Sequence, residues 1–286
     1  MSQKKYLDLA GLTAYDGKIK SWFKSGTVDI TDDAIRELFV VPDNPYVTFM
    51  AQEDDSSIGL VELSTNQTLE YSTDKSTWNT FDTSTNISLN NNDKVYIRGI
   101  LSADSNPFQY TQFKMSGKIA ASGNCNALWN YEDLSAPLKQ FCGYYMFREC
   151  TSLTTAPDLP ATTLAADCYY YMFGDCTSLT TAPELPATEL ARSCYQGMFS
   201  NCTSLTTAPE LPATTLVNYC YSYMFEDCTS LNYIKCLATN ISATDYTDTW
   251  VNRVSSTGTF IKHPDATWST GYNGIPSGWT VVDAEI

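Results

Sequence analysis

The chain has 286 residues, with 17 Lys and Arg set against 32 Asp and Glu, giving a net charge of -15. That balance excludes the usual binders of phosphate backbones and anionic membrane surfaces, which depend on basic patches. Hydrophobic residues make up 43% and charged residues only 17%, so the composition is that of a folded chain, long enough for two modest domains or one with extensions.

Residues 1–44 open with two lysines, Lys4 and Lys5, but no apolar core of a secretory signal follows, and no apolar run is long enough to span a membrane. If Met1 is the native start, the expectation is folding in a cytoplasm with reduced thiols. Leu12, Tyr15, Ile19 and Trp22 follow a 3-4-3 spacing with Phe23 beside them, and a second pattern runs through Ala34, Ile35, Leu38 and Phe39. This predicts an amphipathic helical leader that either packs on the following domain or serves docking and self-association.

Residues 45–115 alternate apolar and polar positions, as in Tyr46-Val47-Thr48-Phe49 and Val95-Tyr96-Ile97-Arg98, with turns such as Asn90-Asn91-Asn92-Asp93 between them. The pattern predicts a small antiparallel β-sandwich.

Residues 116–245 hold an internal repeat of period 26, with copies starting at Cys142, Cys168, Cys194 and Cys220. All four share Met-Phe, two residues, then Cys-Thr-Ser-Leu, and the first three share Thr-Thr-Ala-Pro-(Asp/Glu)-Leu-Pro-Ala-Thr. A period of this length predicts a stacked solenoid. Leu164, Cys168 and Met172, flanked by Tyr169 and Phe173, occupy one face of a predicted short helix. Ser178 to Ala182 reads as a strand, and Pro183-Glu184-Leu185-Pro186 as the turn back. Each unit is therefore expected to be strand, proline turn and helix. The copies align with one another. Unvarying columns should point inward, whereas Tyr144-Tyr145, Tyr170-Tyr171, Gln196-Gly197 and Ser222-Tyr223 vary and should face solvent. The helical wheel places Asp167, Tyr170 and Gly174 opposite Cys168.

The Met-Phe-x-x-Cys-Thr-Ser-Leu unit with its proline-rich return resembles the BspA-like leucine-rich repeats of bacterial surface proteins. Residues 246–286, with Trp250, Gly258-Thr259-Phe260, Trp268 and Gly274-Ile275-Pro276-Ser277-Gly278-Trp279, look like the cap of such an array. A degenerate leading coil would span Gly117 to Gln140, with Cys125 in a repeat-like Cys place. The fold class expected from all this is α+β: helical leader, β-sandwich, strand-turn-helix solenoid and C-terminal cap. The leader also resembles those of structural proteins of tailed bacteriophages that infect gut bacteria.

Candidate sites are few. His263, the single His, sits in the turn-like Lys262-His263-Pro264-Asp265 and has no partner motif for catalysis or metal binding. Eight of the ten Cys pair as 142/150, 168/176, 194/202 and 220/228, a spacing unsuited to zinc and expected of buried thiols. The acidic column Asp158, Glu184 and Glu210 reads as a solvated rim. Tyr144, Tyr145, Tyr170, Tyr171 and Tyr223 form the expected binding surface, the alternative being that several lean back and pack between neighbouring coils. Replacing Tyr144, Tyr170 and Tyr171 by Ala should weaken attachment without loss of stability on the first reading and unfold the chain on the second. No enzyme motif, cofactor or metal is expected. The resemblances imply a phage virion component (fibre, spike or capsid decoration) attaching to a host glycan or protein, docked on other virion proteins. They also imply a homo-oligomer, with the trimer as the usual fibre form. The alternative they leave open is a bacterial cell-surface or secreted adhesin. Neither nucleic acid nor membrane insertion is expected.

Overall fold

The computed structural model describes residues 44–239, 241 and 245–285. The expected leader, with Leu12, Tyr15, Ile19, Trp22 and Phe23, lies outside the described residues. Tyr46–Ile286 forms one compact unit.

The unit begins with two antiparallel sheets facing each other. Strands β1 (Val47–Ala51), β2 (Ser56–Glu62), β3 (Gln67–Ser72), β4 (Asn79–Thr80), β5 (Asn86–Leu89), β6 (Lys94–Leu101), β7 (Gln112–Ser116) and β8 (Ile119–Ser122) divide between them. One sheet runs β4-β3-β6-β1-β8 and continues into β9 (Leu153–Thr155), while the other runs β5-β2-β7. Alternation does the sorting: along β6, Val95, Ile97, Gly99 and Leu101 turn inward while intervening side chains reach the surface. Phe49 of β1 stacks on Phe113 of β7 at 5.6 Å between ring centroids, and Phe81 lies 6.0 Å from Phe113.

The α+β expectation is overturned beyond this point. No α-helix occurs among the described residues, whose only helical turn is the 3-10 segment Cys125–Leu128. Where a helix was expected in each coil, the chain makes a run of tight turns with a left-handed residue at every fourth position. Those residues are Phe141, Tyr145 and Glu149 in the first coil and Asp167, Tyr171 and Asp175 in the second. Ser193, Gly197 and Asn201 follow in the third, then Tyr219, Tyr223 and Asp227 in the fourth, with φ between 46° and 63°.

Hydrogen bonding explains the departure. Alternate amides bond within the coil, as Met172 N–H to the Tyr169 carbonyl (3.2 Å) and Cys176 N–H to the Phe173 carbonyl (3.1 Å). The amides between them donate to the next coil: Tyr169 to Cys194, Tyr171 to Gln196, Phe173 to Met198 and Asp175 to Ser200, at 2.8–3.1 Å. An α-helix would spend all of these donors on itself. The i, i+4 spacing of Cys168, Met172 and Cys176 suits both structures, because a run of four-residue turns also returns every fourth side chain to one face. A helix drifts by about 40° over four residues, whereas the turns keep Cys, Met and Cys in register against the adjacent coil. Two of the three wheel-assigned surface residues are accordingly buried: Asp167 is only 5% exposed, and Gly174 also lies inside.

The other limb of each coil is extended. The expected strand Ser178–Ala182 is reduced to a single parallel bridge, Thr155 to Thr181. Pro183 and Pro186 lack the amide hydrogen a ladder needs, yet the limb keeps a strand's alternation. Pro183, Leu185 and Ala187 are buried while Glu184, Pro186 and Thr188 are exposed.

Stacking the coils aligns their core side chains into columns. Phe113, Phe147, Phe173, Phe199 and Phe225 follow one another at 5.0–5.9 Å, the last four within 8° of parallel. The sandwich therefore acts as the first coil: Phe113 N–H donates to the Met146 carbonyl as Phe147 N–H does to Met172. At the far end Phe225 N–H donates to the Trp250 carbonyl, and Trp250 occupies the place that Met fills in each coil. Fully buried, it stacks on Trp268 at 5.4 Å and donates from its indole N–H to the Gly274 carbonyl at 2.9 Å. A parallel sheet of β10 (Tyr233–Cys236), β11 (Thr259–Lys262) and β12 (Thr280–Asp283) closes this end. One core thus crosses both expected boundaries, 115/116 and 245/246.

The left-handed positions give a sign test. In a helix interior, Gly costs about 1 kcal/mol relative to Ala; at φ 63°, Glu149 is instead a place where Gly relieves about 1 kcal/mol. Glu149→Gly is expected to keep or raise the melting temperature, and Glu149→Val to lower stability by about 2 kcal/mol. Thermal melts of both variants check the order, and Gly below Val would restore the helix.

Candidate functional site

The turn ladder places the predicted tyrosines in a cluster on one side of the coils. Tyr144 and Tyr170, one coil apart, are stacked at 4.7 Å and 7°. Tyr145 packs against Tyr144 at 4.3 Å, Tyr170 at 5.7 Å and Tyr171 at 6.0 Å. Four of the five predicted residues are therefore in mutual contact. Tyr223 is half-buried two coils further on, and its hydroxyl donates to Asp248 Oδ2 at 3.2 Å.

Exposure within the cluster is uneven. Tyr144 is only 9% exposed, covered by Phe141, Tyr110 and its own neighbours, so it supports the ladder and does not face solvent. Its loss should cost about 3 kcal/mol, which removes it from any substitution meant to spare stability. Tyr145, Tyr170 and Tyr171 remain half-exposed. Tyr171 lies over Gly197 of the next coil, where a Cβ would stand 2.2 Å from its ring. The variable pair Gln196-Gly197 is thus partly a fitted notch for an aromatic ring.

Burial pushes the Tyr144, Tyr170 and Tyr171 phenols above their ordinary range, so they are neutral donors at physiological pH. Arg148 lies over the Tyr145 ring at 4.7 Å and pairs with Asp175 at 3.4 Å and Glu149 at 3.6 Å. Arg192 reaches the Asp167 carboxylate at 2.5 Å. The cluster is hence aromatic with its neighbouring charges already paired.

Sequence reasoning missed Tyr110, whose ring lies 5.8 Å from Tyr144 and 5.3 Å from Tyr145. It belongs to the sandwich, in the turn Ser105-Asn106-Pro107-Phe108-Gln109-Tyr110, and carries the aromatic surface across to that part of the chain. Outside the repeat, no internal alignment could point to it.

The remaining candidates resolve simply. His263 Nδ1 accepts a hydrogen bond from the Asp265 amide at 3.1 Å, which is a turn role. Asp158, Glu184 and Glu210 are all exposed, with Glu210 Oε1 2.9 Å from Lys235 Nζ. No group of three or more potential metal ligands occurs among the described residues. All ten Cys are buried free thiols. The second Cys of each coil donates to a carbonyl of the preceding layer: Cys150 to Phe113, Cys176 to Phe147, Cys202 to Phe173 and Cys228 to Phe199, at 3.0–3.4 Å. These thiols are packing groups that also fill a carbonyl's second lone pair.

No protein-family model, curated protein or solved structure matches the chain.

The thiols make stability depend on pH in a defined direction. Burial raises them from an ordinary 9.0, to about 12 for Cys220, Cys228 and Cys236. The unfolded chain ionises first, so their contribution is complete below about pH 9 and is lost as pH rises towards 12. Each thiol weakens the fold by about 1.4 kcal/mol per pH unit in that window. The protein is expected to unfold cooperatively between about pH 9 and pH 11, and thiol reagents at pH 8 should label it only after denaturation. A melting temperature unchanged up to pH 11 would contradict the assignment.

Proposed function

We propose that this protein is a non-enzymatic bacteriophage virion component, a fibre, spike or capsid decoration, whose repeat domain attaches to the host surface. The observation carrying this reading is the half-exposed tyrosine ladder on a rigid scaffold. Each half-exposed ring springs from a backbone tied to the adjacent coil by a hydrogen bond, as at Tyr145 to Tyr170 (3.0 Å) and Tyr171 to Gln196 (2.8 Å). Aromatic side chains held in this way present stacking faces with little further loss of conformational freedom on binding. A stack of coils offers such faces at repeated spacing, which suits weak contacts strengthened by multivalency. The homo-oligomer proposed with this reading would multiply the effect. The resemblance of the leader to phage structural proteins supplies the virion part of the proposal.

Two measurements test it. Immunolabelling of phage particles grown on gut bacteria should place the chain on the virion; its appearance on the bacterial envelope alone would turn the reading into a cell-surface adhesin. Attachment of the labelled protein to host cells should fall at least about tenfold in a Tyr170→Ser, Tyr223→Asn double variant. Asn tolerates the left-handed backbone at Tyr223, where φ is 58°, so the fold should be kept, with a fall in stability of about 1 kcal/mol from the lost Tyr170 stack on Tyr144. Undiminished attachment by this variant would remove the ladder from recognition.

A further inference from the structure

We infer that the recognition surface extends onto the sandwich through Phe108, and that its ligand is a neutral glycan chain. This rests on the attachment reading above and adds a contact residue and a ligand class.

Phe108 is 91% exposed, the most exposed large hydrophobic side chain among the described residues. It does not stand alone, since Tyr110, two residues on, joins the ladder through Tyr144 and Tyr145. Its turn is built to hold it out. The Phe108 amide donates to Asn106 Oδ1 at 2.9 Å and the Gln109 amide to the Asn106 carbonyl at 3.0 Å. Asn106 Nδ2 and Thr65 Oγ1 both donate to Gln109 Oε1 at 3.3 Å. The turn is also tied to the first coil, with Ser105 N–H on the Gln140 carbonyl (3.2 Å) and Gln140 N–H on Asp104 Oδ1 (3.0 Å). The backbone that carries the exposed ring is thus held in place before any partner arrives.

The chemistry around it selects the ligand. Arg148, the cation touching the ladder, is committed to the Tyr145 face, Asp175 and Glu149, and the chain carries a net charge of -15. Anionic glycans, phosphates and acidic peptides therefore meet a chain of net negative charge whose cation at the ladder is already paired. The turn and the loop bonded to it carry the amides of Asn106, Gln109 and Asn66 and the hydroxyl of Thr65, neutral groups matched to sugar hydroxyls. The apolar face of a pyranose ring can then stack on Phe108, which is 91% exposed. A protein partner would call for a broad exposed apolar patch, whereas here the ladder rings are half-buried in one another and the fully exposed ring, Phe108, is flanked by the polar side chains of Asn106 and Gln109.

The test uses the full chain and neutral hexaoses of glucose, mannose and galactose as probes, with a polygalacturonate hexamer as the anionic counterpart. At least one neutral hexaose should bind and shift the amide resonances of Gln109, Tyr110 and Tyr145. Phe108→Ala should weaken that binding about tenfold with an unchanged melting temperature. Binding confined to or tighter with polygalacturonate, no binding of any neutral hexaose, or an unaffected Phe108→Ala variant would each overturn the inference. Cell attachment by the unaltered protein without any neutral hexaose binding would leave the attachment reading standing while this inference fell. Hexaose binding without cell attachment would do the reverse.

Discussion

Everything in this molecule depends on how one stretch of each coil disposes of its backbone amides. From Asp167 to Asp175 every second N–H leaves its own coil for a carbonyl of the next, so no coil can satisfy its backbone alone. A left-handed residue at every fourth position makes that division achievable, because it resets the chain after each tight turn and aims the next amide outward. Such residues cost on the order of 1 kcal/mol each, and a hydrogen bond contributes a comparable net amount. The ladder by itself is therefore close to neutral. Its gain is registration: coils fixed in the hydrogen-bonding direction bring identical side chains into contact, and burial of those columns supplies the driving force.

The columns show what registration achieves. Cys, Met, Phe and Leu of each copy are buried, and the Phe column runs without interruption from Phe113 to Phe225. An end of such a stack would expose both apolar side chains and unpaired amides. The sandwich closes one end by supplying Phe113 and its neighbouring strands, and Trp250 closes the other by filling the place of Met with a larger ring. The β-sandwich and the C-terminal segment are thus parts of the solenoid's core. The same registration makes a binding surface available, since any residue in an outward column recurs at the coil spacing without disturbing the interior.

Much of this was legible in the sequence. The repeat gave the stacking, and its unvarying columns named the core correctly, down to the buried Cys pairs. Alternation gave the strands of the sandwich. The failure was local and instructive. An i, i+4 apolar spacing predicts a helix, although a run of four-residue turns produces the same spacing. The signal that separates them lies in the columns that looked merely variable: Asp167, Asp175, Ser193, Gly197, Asn201 and Asp227 occupy left-handed positions, and Gly, Asn and Asp are the residues that enter that region most readily. Tyr145, Tyr171, Tyr219 and Tyr223 stand at equivalent positions and concealed the pattern. The same error misplaced Asp167 and Gly174 at the surface. The burial of Tyr144 has another cause, because Tyr110, which covers it together with Phe141, lies outside the aligned columns.

The central claim is that Phe173 and its equivalents bond across coils and not along a helix. Couplings transmitted through hydrogen bonds in an isotope-labelled sample read this directly. The amide nitrogen of Phe173 should couple to the carbonyl carbon of Met198, its partner at 2.9 Å. A coupling from Phe173 to the carbonyl of Tyr169, four residues earlier in the same coil, would contradict the account.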